Sequence, residues 1–311
     1  MVTGFLGSGK TTLIARLLRD PASARTAVIV NEFGEIGLDH HLIASGDETV
    51  LALTTGCLCC AVRTDLAQTL LALRAERGGA YDRVLVETSG LADPAPILHA
   101  LMTDPGLAAS HAVGAVTVLV DTLLGEATLA RHPEARRQVA MADRIVLSKT
   151  DLAAPSPALL AVLRGLNGLA PFADGGAVLA AAARVGAMPD AVARHSGGIG
   201  SFWLERAAPI PAAALALWLQ ALAEHCGERL LRLKGIVDVA EMPGRPAVIH
   251  GVQHVLAEPD WLAAWPDADQ RSRVVFIGRE VEGRGIPRHF PARLLEAVIA
   301  EVAAVSARAA G

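Results

Sequence analysis

The chain has 311 residues, of which 52% are hydrophobic and only 4% aromatic, and its formal net charge is -4. This length allows one large domain or two ordinary ones, with cores built from Ala, Leu and Val. The slightly negative charge excludes the basic surface expected of a protein that binds nucleic acid or an anionic membrane, and no stretch is convincing as a membrane span.

A phosphate-binding loop stands at the start of the chain, where residues 4–12 read GFLGSGKTT and match the pattern G-x-x-x-x-G-K-S/T. Its glycines permit positive φ and turn backbone N–H groups toward a phosphate, its lysine supplies charge for the β and γ phosphates, and the next threonine can ligate Mg²⁺. Leucine and isoleucine at helical spacing follow, so the phosphate would sit at the positive end of a helix. Because the loop begins at the fourth residue, we expect no signal peptide. The predicted nucleotide ligands here are Gly4, Gly7, Ser8, Gly9, Lys10, Thr11 and Thr12.

The first half of the chain alternates between short apolar runs and helical patterns. Uninterrupted apolar runs are typical of parallel strands that are covered on both faces, and the alternation predicts a doubly wound, mostly parallel α/β sheet. The predicted strands are 27–30, 84–86, 116–120 and 145–147, and the predicted helices include 64–77 and 135–141.

Three cysteines stand close together in residues 56–60, which read GCLCC. In an extended segment Cys57 and Cys59 would point to one side and Cys60 to the other. Thiolates select Zn²⁺, Cu⁺ or Co²⁺ over Mg²⁺, and three of them leave a position for water, for a carboxylate such as Glu35 or for a partner's ligand. An open site suits a metal that is handed on, whereas the alternative is a group of small buried side chains.

Two segments around the cysteines have the character of switch loops. The first is residues 31–39, NEFGEIGLD, and the second follows the strand in VLVETSG at residues 84–90. Glu87 is predicted to hold Mg²⁺ directly or through water, and Gly90 to move with the γ-phosphate. The alternative is that Glu87 only caps the end of its strand and is exposed to solvent. For the group that orients the attacking water, Glu87 and Asp39 are both candidates.

Residues 145–151, IVLSKTD, are close to the guanine-reading pattern N-K-x-D. Asp151 could accept hydrogen bonds from the guanine N1–H and exocyclic amine, which adenine does not offer as a pair. The stem of Lys149 can pack along the purine. Ser148 stands where Asn is usual, so the motif favours GTP without excluding ATP, and a capped turn after a strand is the alternative.

The pattern changes after residues 179–200, where Pro189 and a Ser/Gly cluster predict a domain boundary. We therefore expect domains at 1–190 and 200–311. The order β-α-β-β-β-α in the second predicts a small α+β domain with its helices on one face of an antiparallel sheet. Its predicted strands are 201–205, 230–239, 247–256 and 273–277, and its predicted helices are 211–225 and 291–308.

Taken together, GFLGSGKTT, NEFGEIGLD, GCLCC, ETSGLADP and SKTD, with RLLRLKGIV and VVFIGR in the second half, resemble the CobW family of P-loop GTPases. The resemblance spans nearly the whole chain and implies a P-loop domain followed by a ferredoxin-like CobW C-terminal domain. It also implies that hydrolysis of GTP to GDP, with Mg²⁺, is coupled to delivery of a transition metal, Zn²⁺ or Co²⁺. By position, the metal would be held by Cys57, Cys59 and Cys60 with Glu35 as a supplementary ligand, the phosphates and Mg²⁺ by Lys10, Thr11 and Glu87, and the base by Asp151.

The sequence thus predicts a cytoplasmic GTPase that acts as a metallochaperone for a client metalloenzyme, with no nucleic-acid or membrane partner. The C-terminal domain would recognise the client or support a homodimer. Two other functions remain open: a P-loop ATPase or phosphotransferase with an incidental thiol cluster, and a nucleotide switch that senses a metal without transferring it.

Overall fold

A computed structural model describes residues 1–31, 50–53, 61–168, 170–179, 198–279 and 285–310. The chain divides into two compact units, Met1–Gly186 and Ala187–Gly311. The first is an α/β unit and the second an α+β unit, so the predicted fold class is confirmed. The domain limits 1–190 and 200–311 stay a prediction. In the part of the chain that the structure describes, no helix is both long and apolar enough to cross a membrane.

The described strands of the first unit form one seven-stranded parallel sheet in the order β3-β2-β4-β1-β5-β6-β7. The strands are β1 (Val2–Gly4), β2 (Thr26–Asn31), β3 (Val50–Leu53), β4 (Arg83–Glu87), β5 (Thr117–Asp121), β6 (Arg144–Ser148) and β7 (Phe172–Ala173). The helices are α1 (Lys10–Leu17), α2 (Ala61–Arg77), α3 (Pro94–Thr103), α4 (Pro105–Ser110), α5 (Gly125–Arg131), α6 (Pro133–Ala140) and α7 (Pro157–Leu166), with single 3₁₀ turns at Pro21–Ser23 and Gly175–Leu179.

Alternation along the strands divides the core of this unit into two layers. Val28 and Val30 pack with α1 on one face of the sheet, whereas Ile29, between them, packs with α2 on the other. All three side chains are buried. This two-sided burial is the reason why the strand reads as an uninterrupted apolar run.

The order of the strands determines where a ligand can bind. From β1 the chain moves to β2 and β3 on one side of the sheet, then returns to β4 beside β1 and crosses to β5 on the other side. The carboxyl end of β1 is therefore at the point where the winding reverses, which is where open α/β sheets bind ligands. The phosphate loop begins there.

The described strands of the second unit form a six-stranded antiparallel sheet in the order β11-β10-β9-β13-β8, with β12 paired to β10. Two helices pack on it around Trp218 and Phe276, and the indole N–H of Trp218 donates to the carbonyl oxygen of Pro291 at 2.8 Å. The elements are β8 (Ile199–Arg206), α8 (Ala212–Cys226), β9 (Leu230–Val237), β10 (Ala247–Val252), β11 (Val255–Leu256), β12 (Asp260–Trp261), β13 (Ser272–Arg279) and α9 (Phe290–Ala310), with a 3₁₀ turn at Gly227–Arg229.

One predicted strand in this unit is wrong. The segment 247–256 is a hairpin, β10 and β11, in which Val252 pairs with Val255 across a two-residue turn. Gln253 in that turn has φ of 53°, a left-handed conformation that two-residue hairpins require. His254 therefore lies in the turn and not on a strand.

Candidate functional site

The phosphate loop leaves β1 through Gly4, which lies against β5. A Cβ on Gly4 would lie 2.5 Å from the carbonyl oxygen of Leu119 and 2.8 Å from the Ser8 hydroxyl, so only glycine fits there. Gly7 and Gly9 have φ of 71° and 88°, the positive region predicted for both. The backbone N–H of Ser8 donates to the carbonyl oxygen of Phe5 at 3.1 Å and closes the turn.

The amino end of α1 is open toward the inside of this loop. Gly9 is the N-cap of the helix and provides no side-chain hydrogen bond, so the first N–H groups stay available to an anion. The Lys10 ammonium, on a side chain that is almost fully buried, donates to the carbonyl oxygens of Gly4 at 3.0 Å and Phe5 at 3.4 Å. The loop thus combines the positive end of a helix with a lysine ammonium held against its backbone, and both favour binding of a phosphate. Thr12 follows on α1 and is exposed.

Two predicted Mg²⁺ ligands from distant parts of the chain meet beside this loop. Glu87 ends β4, is only 1% exposed, and accepts a hydrogen bond of 2.7 Å from the Thr11 hydroxyl at its Oε1. β1 and β4 are parallel neighbours, with Val2 opposite Glu87, so both strands end at the same edge of the sheet. The phosphate loop and α1, which contains Thr11, follow β1 at this edge, and Thr11 therefore lies close to Glu87. A hydroxyl and a carboxylate at the edge of a phosphate loop are hard oxygen donors, and this donor set fits Mg²⁺.

The segment after Glu87 turns tightly against the phosphate loop. The N–H of Ala92 donates to the carbonyl oxygen of Ser89 at 3.0 Å, and a Cβ on Gly90 would lie 2.7 Å from the backbone nitrogen of Leu6. Gly90 therefore adjoins the backbone of the phosphate loop, which is the position predicted for a residue that responds to the γ-phosphate.

The predicted base-reading residues follow β6 on the other side of the loop. Lys149 has φ of 58°, and its ammonium contacts Asp121 at 2.5 Å, while the Thr122 hydroxyl donates to the carbonyl oxygens of Ser148 and Lys149, both at 3.0 Å. The Cβ of Ser148 is 3.9 Å from an ideal Cβ on Gly9, so this turn adjoins the phosphate loop. Asp151 is exposed, as a residue that reads a bound base must be before ligand arrives.

Asp121 is a charged residue of this site that the sequence reasoning missed. Burial opposes its ionisation, but the hydrogen bond from Lys149 and the backbone N–H groups of Leu123 and Leu124 outweigh burial and lower the pKa of the carboxyl. Asp121 thus stays ionised and fixes Lys149. The sequence did contain an indication of this role: TVLVD is an apolar strand that ends in an acidic residue, just as β4 ends in Glu87.

Gln138 on α6 is the second residue that sequence reasoning missed. Its side-chain amide donates to the carbonyl oxygens of Gly90 and Ala92, both at 3.0 Å. The contacts join residues 48 and 46 positions apart in the chain, and no local pattern around Gln138 indicates them.

The predicted transition-metal ligands Cys57, Cys59, Cys60 and Glu35, and the candidate water-orienting residue Asp39, lie outside the described residues. Within the described ranges, no three His, Cys, Asp or Glu side chains form a group able to hold a metal ion. The described neighbours of the cysteine segment are Leu53, which ends β3, and Ala61, which begins α2.

Comparison with known proteins agrees with both units. Residues 1–173 match the CobW/HypB/UreG nucleotide-binding domain, and residues 199–294 match the cobalamin synthesis protein cobW C-terminal domain. The zinc chaperone YjiA of Escherichia coli (strain K12) is 32% identical over 297 residues, covering 89% of this chain and 92% of the relative. The zinc chaperone CobW of Pseudomonas aeruginosa is 31% identical over 348 residues, covering 92% of this chain and 88% of the relative.

A solved structure extends the likeness to the whole fold. The crystal structure of Zn(II)-bound YjiA GTPase from E. coli aligns with a TM-score of 0.67 at 25% identity, covering 96% of this chain and 97% of that one. The resemblance found in the sequence motifs is confirmed. The chain belongs to the CobW family of P-loop GTPases, in which a nucleotide-binding domain precedes a CobW C-terminal domain.

Proposed function

We propose that this GTPase is a metallochaperone that binds a transition metal at Cys57, Cys59 and Cys60, with Glu35 as a supplementary ligand, and transfers it to a client metalloprotein. Zn²⁺ is the proposed metal and Co²⁺ the alternative, because thiolate donors suit both ions and exclude Mg²⁺ from this position. The relatives reported above are named zinc chaperones, which favours Zn²⁺. Thiolates of this kind stay available in a reducing cytosol, where we expect the protein to act.

The observation that supports coupling between nucleotide and metal is the parallel sheet itself. The cysteine segment follows Leu53 at the carboxyl end of β3, and Glu87 stands at the carboxyl end of β4, with only β2 between the two strands. Neighbouring strands are spaced by about 5 Å, so the two strand ends lie roughly 10 Å apart across the sheet. The segment that contains the thiols therefore starts at the edge that holds the phosphate loop, near the predicted Mg²⁺ ligands.

On the nucleotide side, we propose that Lys10 neutralises the β and γ phosphates and that Thr11 and Glu87 hold Mg²⁺, which would neutralise charge on the transferred phosphoryl group. Asp151 would accept hydrogen bonds from guanine, and Lys149, fixed by Asp121, would lie along the purine. For the attacking water, Glu87 and Asp39 remain the candidates.

Replacement of Cys57 and Cys59 by Ala tests this proposal. We expect buffered Zn²⁺ to change the rate of GTP hydrolysis by the wild-type protein in the presence of Mg²⁺, and to leave the rate of the Cys57→Ala/Cys59→Ala variant unchanged. Hydrolysis is followed as phosphate release. The matched control is Cys226→Ala, which removes a buried thiol from the second unit and should keep the response to Zn²⁺.

Three other results would separate the alternatives. A wild-type rate that ignores both Zn²⁺ and the cysteines would contradict the proposed coupling and favour an enzyme with an incidental thiol cluster. Equal Zn²⁺ affinity in the GTP and GDP states, without activation of any metal-free client, would favour a sensor over a chaperone. A preference for ATP would contradict the proposed role of Asp151.

A further inference from the structure

Gln138 occupies a position in which its side chain can hold the turn after Glu87. The residue is only 1% exposed, and its Nε2 donates to the carbonyl oxygens of Gly90 and Ala92, both at 3.0 Å. Carbonyl oxygens only accept hydrogen bonds, so the two contacts fix the orientation of the amide with its nitrogen toward the turn. Both donors of the amide are used on one short segment.

The opposite side of the same turn is held by the phosphate loop. A Cβ on Gly90 would lie 2.6 Å from Leu6 Cδ2 and 2.7 Å from the Leu6 nitrogen, so there is no space between the two backbones. The turn at 89–92 is thus fixed between the phosphate loop and Gln138. Movement of Gly90 away from the loop would have to stretch or break the hydrogen bonds to Gln138.

Gln138 also adjoins the phosphate loop through a cavity of about 190 Å³, whose lining includes Phe5, Ser8, Asp121 and Gln138. Gln138 Oε1 and Ser8 Oγ are both buried, and neither has a hydrogen-bond partner among the described residues. Buried polar atoms of this kind are ordinarily satisfied by water, and a cavity of this size has room for several molecules. We therefore expect ordered water between the amide and the loop.

We propose that Gln138 is a positioning residue for GTP hydrolysis, which sets the distance of Gly90 from the γ-phosphate. The amide would hold the turn against the phosphate loop, in the position that favours binding of the triphosphate, and would leave binding of the diphosphate unaffected. The inference rests on the GTPase activity and is independent of metal transfer. Gln138 touches neither nucleotide nor Mg²⁺ in this account and acts through Gly90.

The test is Gln138→Met, which keeps a side chain of similar length and removes both donors. We expect kcat for GTP to fall by at least about 10-fold, because a small displacement of a group at the reacting phosphate is costly. The affinity for a non-hydrolysable GTP analogue should fall by about 10-fold relative to that for GDP, while the affinity for GDP stays unchanged. A general loss of structure would lower both affinities together.

Asn167, which follows α7, provides a matched control because its side chain also bonds to α6. Its side-chain amide is buried and donates to the carbonyl oxygens of Val139 at 2.9 Å, Ala140 at 3.3 Å and Ala142 at 2.8 Å, at the carboxyl end of α6 next to Gln138, and none of these hydrogen bonds goes to the turn at 89–92. Asn167→Ala should lower the melting temperature and leave kcat per folded molecule and the analogue-to-GDP affinity ratio unchanged. If Gln138→Met behaves in the same way, Gln138 is only structural and the proposal is wrong.

Gln138→Asn keeps the proposal testable if the Met variant does not fold. This shorter amide keeps its donors but cannot reach both carbonyl oxygens, so the affinity ratio should change in the same direction by a smaller factor. An unchanged ratio in this variant would also overturn the proposal. If the wild-type protein hydrolyses no GTP, the GTPase activity itself fails, whereas normal wild-type activity with an unaffected Gln138→Met variant refutes this inference alone.

Discussion

Replacement of Lys10 by Met is expected to lower kcat/KM for GTP by about 10²- to 10³-fold, the effect of removing a preorganised charge from the position where negative charge develops. Lys10 is almost fully buried and bonded to the carbonyl oxygens of Gly4 and Phe5, so its ammonium is held over the loop before a phosphate arrives. The free energy of ordering this long side chain is therefore spent during folding and not during catalysis. Phosphate release under saturating and limiting GTP measures the effect.

The matched control for this variant is Lys234→Met, which removes one positive charge from β9 in the second unit. Its kcat/KM should remain close to that of the wild type. Equal losses in the two variants would show that net charge, and not the position of Lys10, determines the rate. A Lys10→Met variant with full activity would contradict the assignment of the phosphate site.

Replacement of Glu87 by Gln is expected to lower activity and Mg²⁺ affinity by about 10- to 100-fold. The variant keeps the size of the side chain and an oxygen that can still accept the 2.7 Å hydrogen bond from Thr11, but it removes the negative charge. Since Mg²⁺ is a hard cation that prefers charged oxygen ligands, the affinity of the variant for Mg²⁺ should fall more than its affinity for the nucleotide. A titration of GTPase activity with Mg²⁺ measures the shift, with nucleotide binding without Mg²⁺ as a second readout.

Glu126→Gln is the control for Glu87→Gln, because Glu126 is an acidic side chain of the same unit that accepts a hydrogen bond from the Ser156 hydroxyl, away from Thr11 in the chain. We expect its Mg²⁺ dependence to match the wild type. An unchanged Mg²⁺ requirement in Glu87→Gln would show that Glu87 is only a partner of Thr11.

The conformation of the proposed phosphate site could be predicted from the sequence because its determinants are local. The glycines, Lys10 and Thr11 follow one another, and the backbone conformation of the loop depends on them directly. The meeting of Thr11 with Glu87 spans 76 residues, yet it follows from a general rule, since parallel strands place their carboxyl ends on one edge of a sheet. From this rule, two motifs that are far apart in the chain can be assigned to one site.

Contacts that obey no such rule could not be predicted. Gln138 reaches the turn at 89–92 from a helix whose rotation about its axis depends on the packing of the whole unit. The pair between Asp121 and Lys149 follows the rule in part, because Asp121 ends β5 opposite Ser148, but it also needs a left-handed backbone at Lys149, which a non-glycine residue seldom adopts. Tertiary packing alone brings Gln138 to the turn, whereas for Asp121 the sequence indicated the strand end but not the backbone conformation that directs Lys149 to it.

Errors in the secondary structure have a similar origin. The hairpin at Val252 and Val255 was predicted as one strand because Gln253 and His254 are not typical turn residues. The short β3 (Val50–Leu53) was not predicted, since periodicity alone cannot distinguish its apolar run VLAL from a short piece of buried helix.

The most direct test of the account is the affinity for Zn²⁺ in the two nucleotide states, measured by competition with a chromophoric chelator in the presence of Mg²⁺ and either GDP or a non-hydrolysable GTP analogue. Coupling between the sites predicts dissociation constants that differ by about 5- to 150-fold between the states. The Cys57→Ala/Cys59→Ala variant should lose both the affinity and the difference, while Cys226→Ala keeps them. Equal affinity for Zn²⁺ in both states of the wild-type protein would contradict the claim that GTP hydrolysis drives metal transfer.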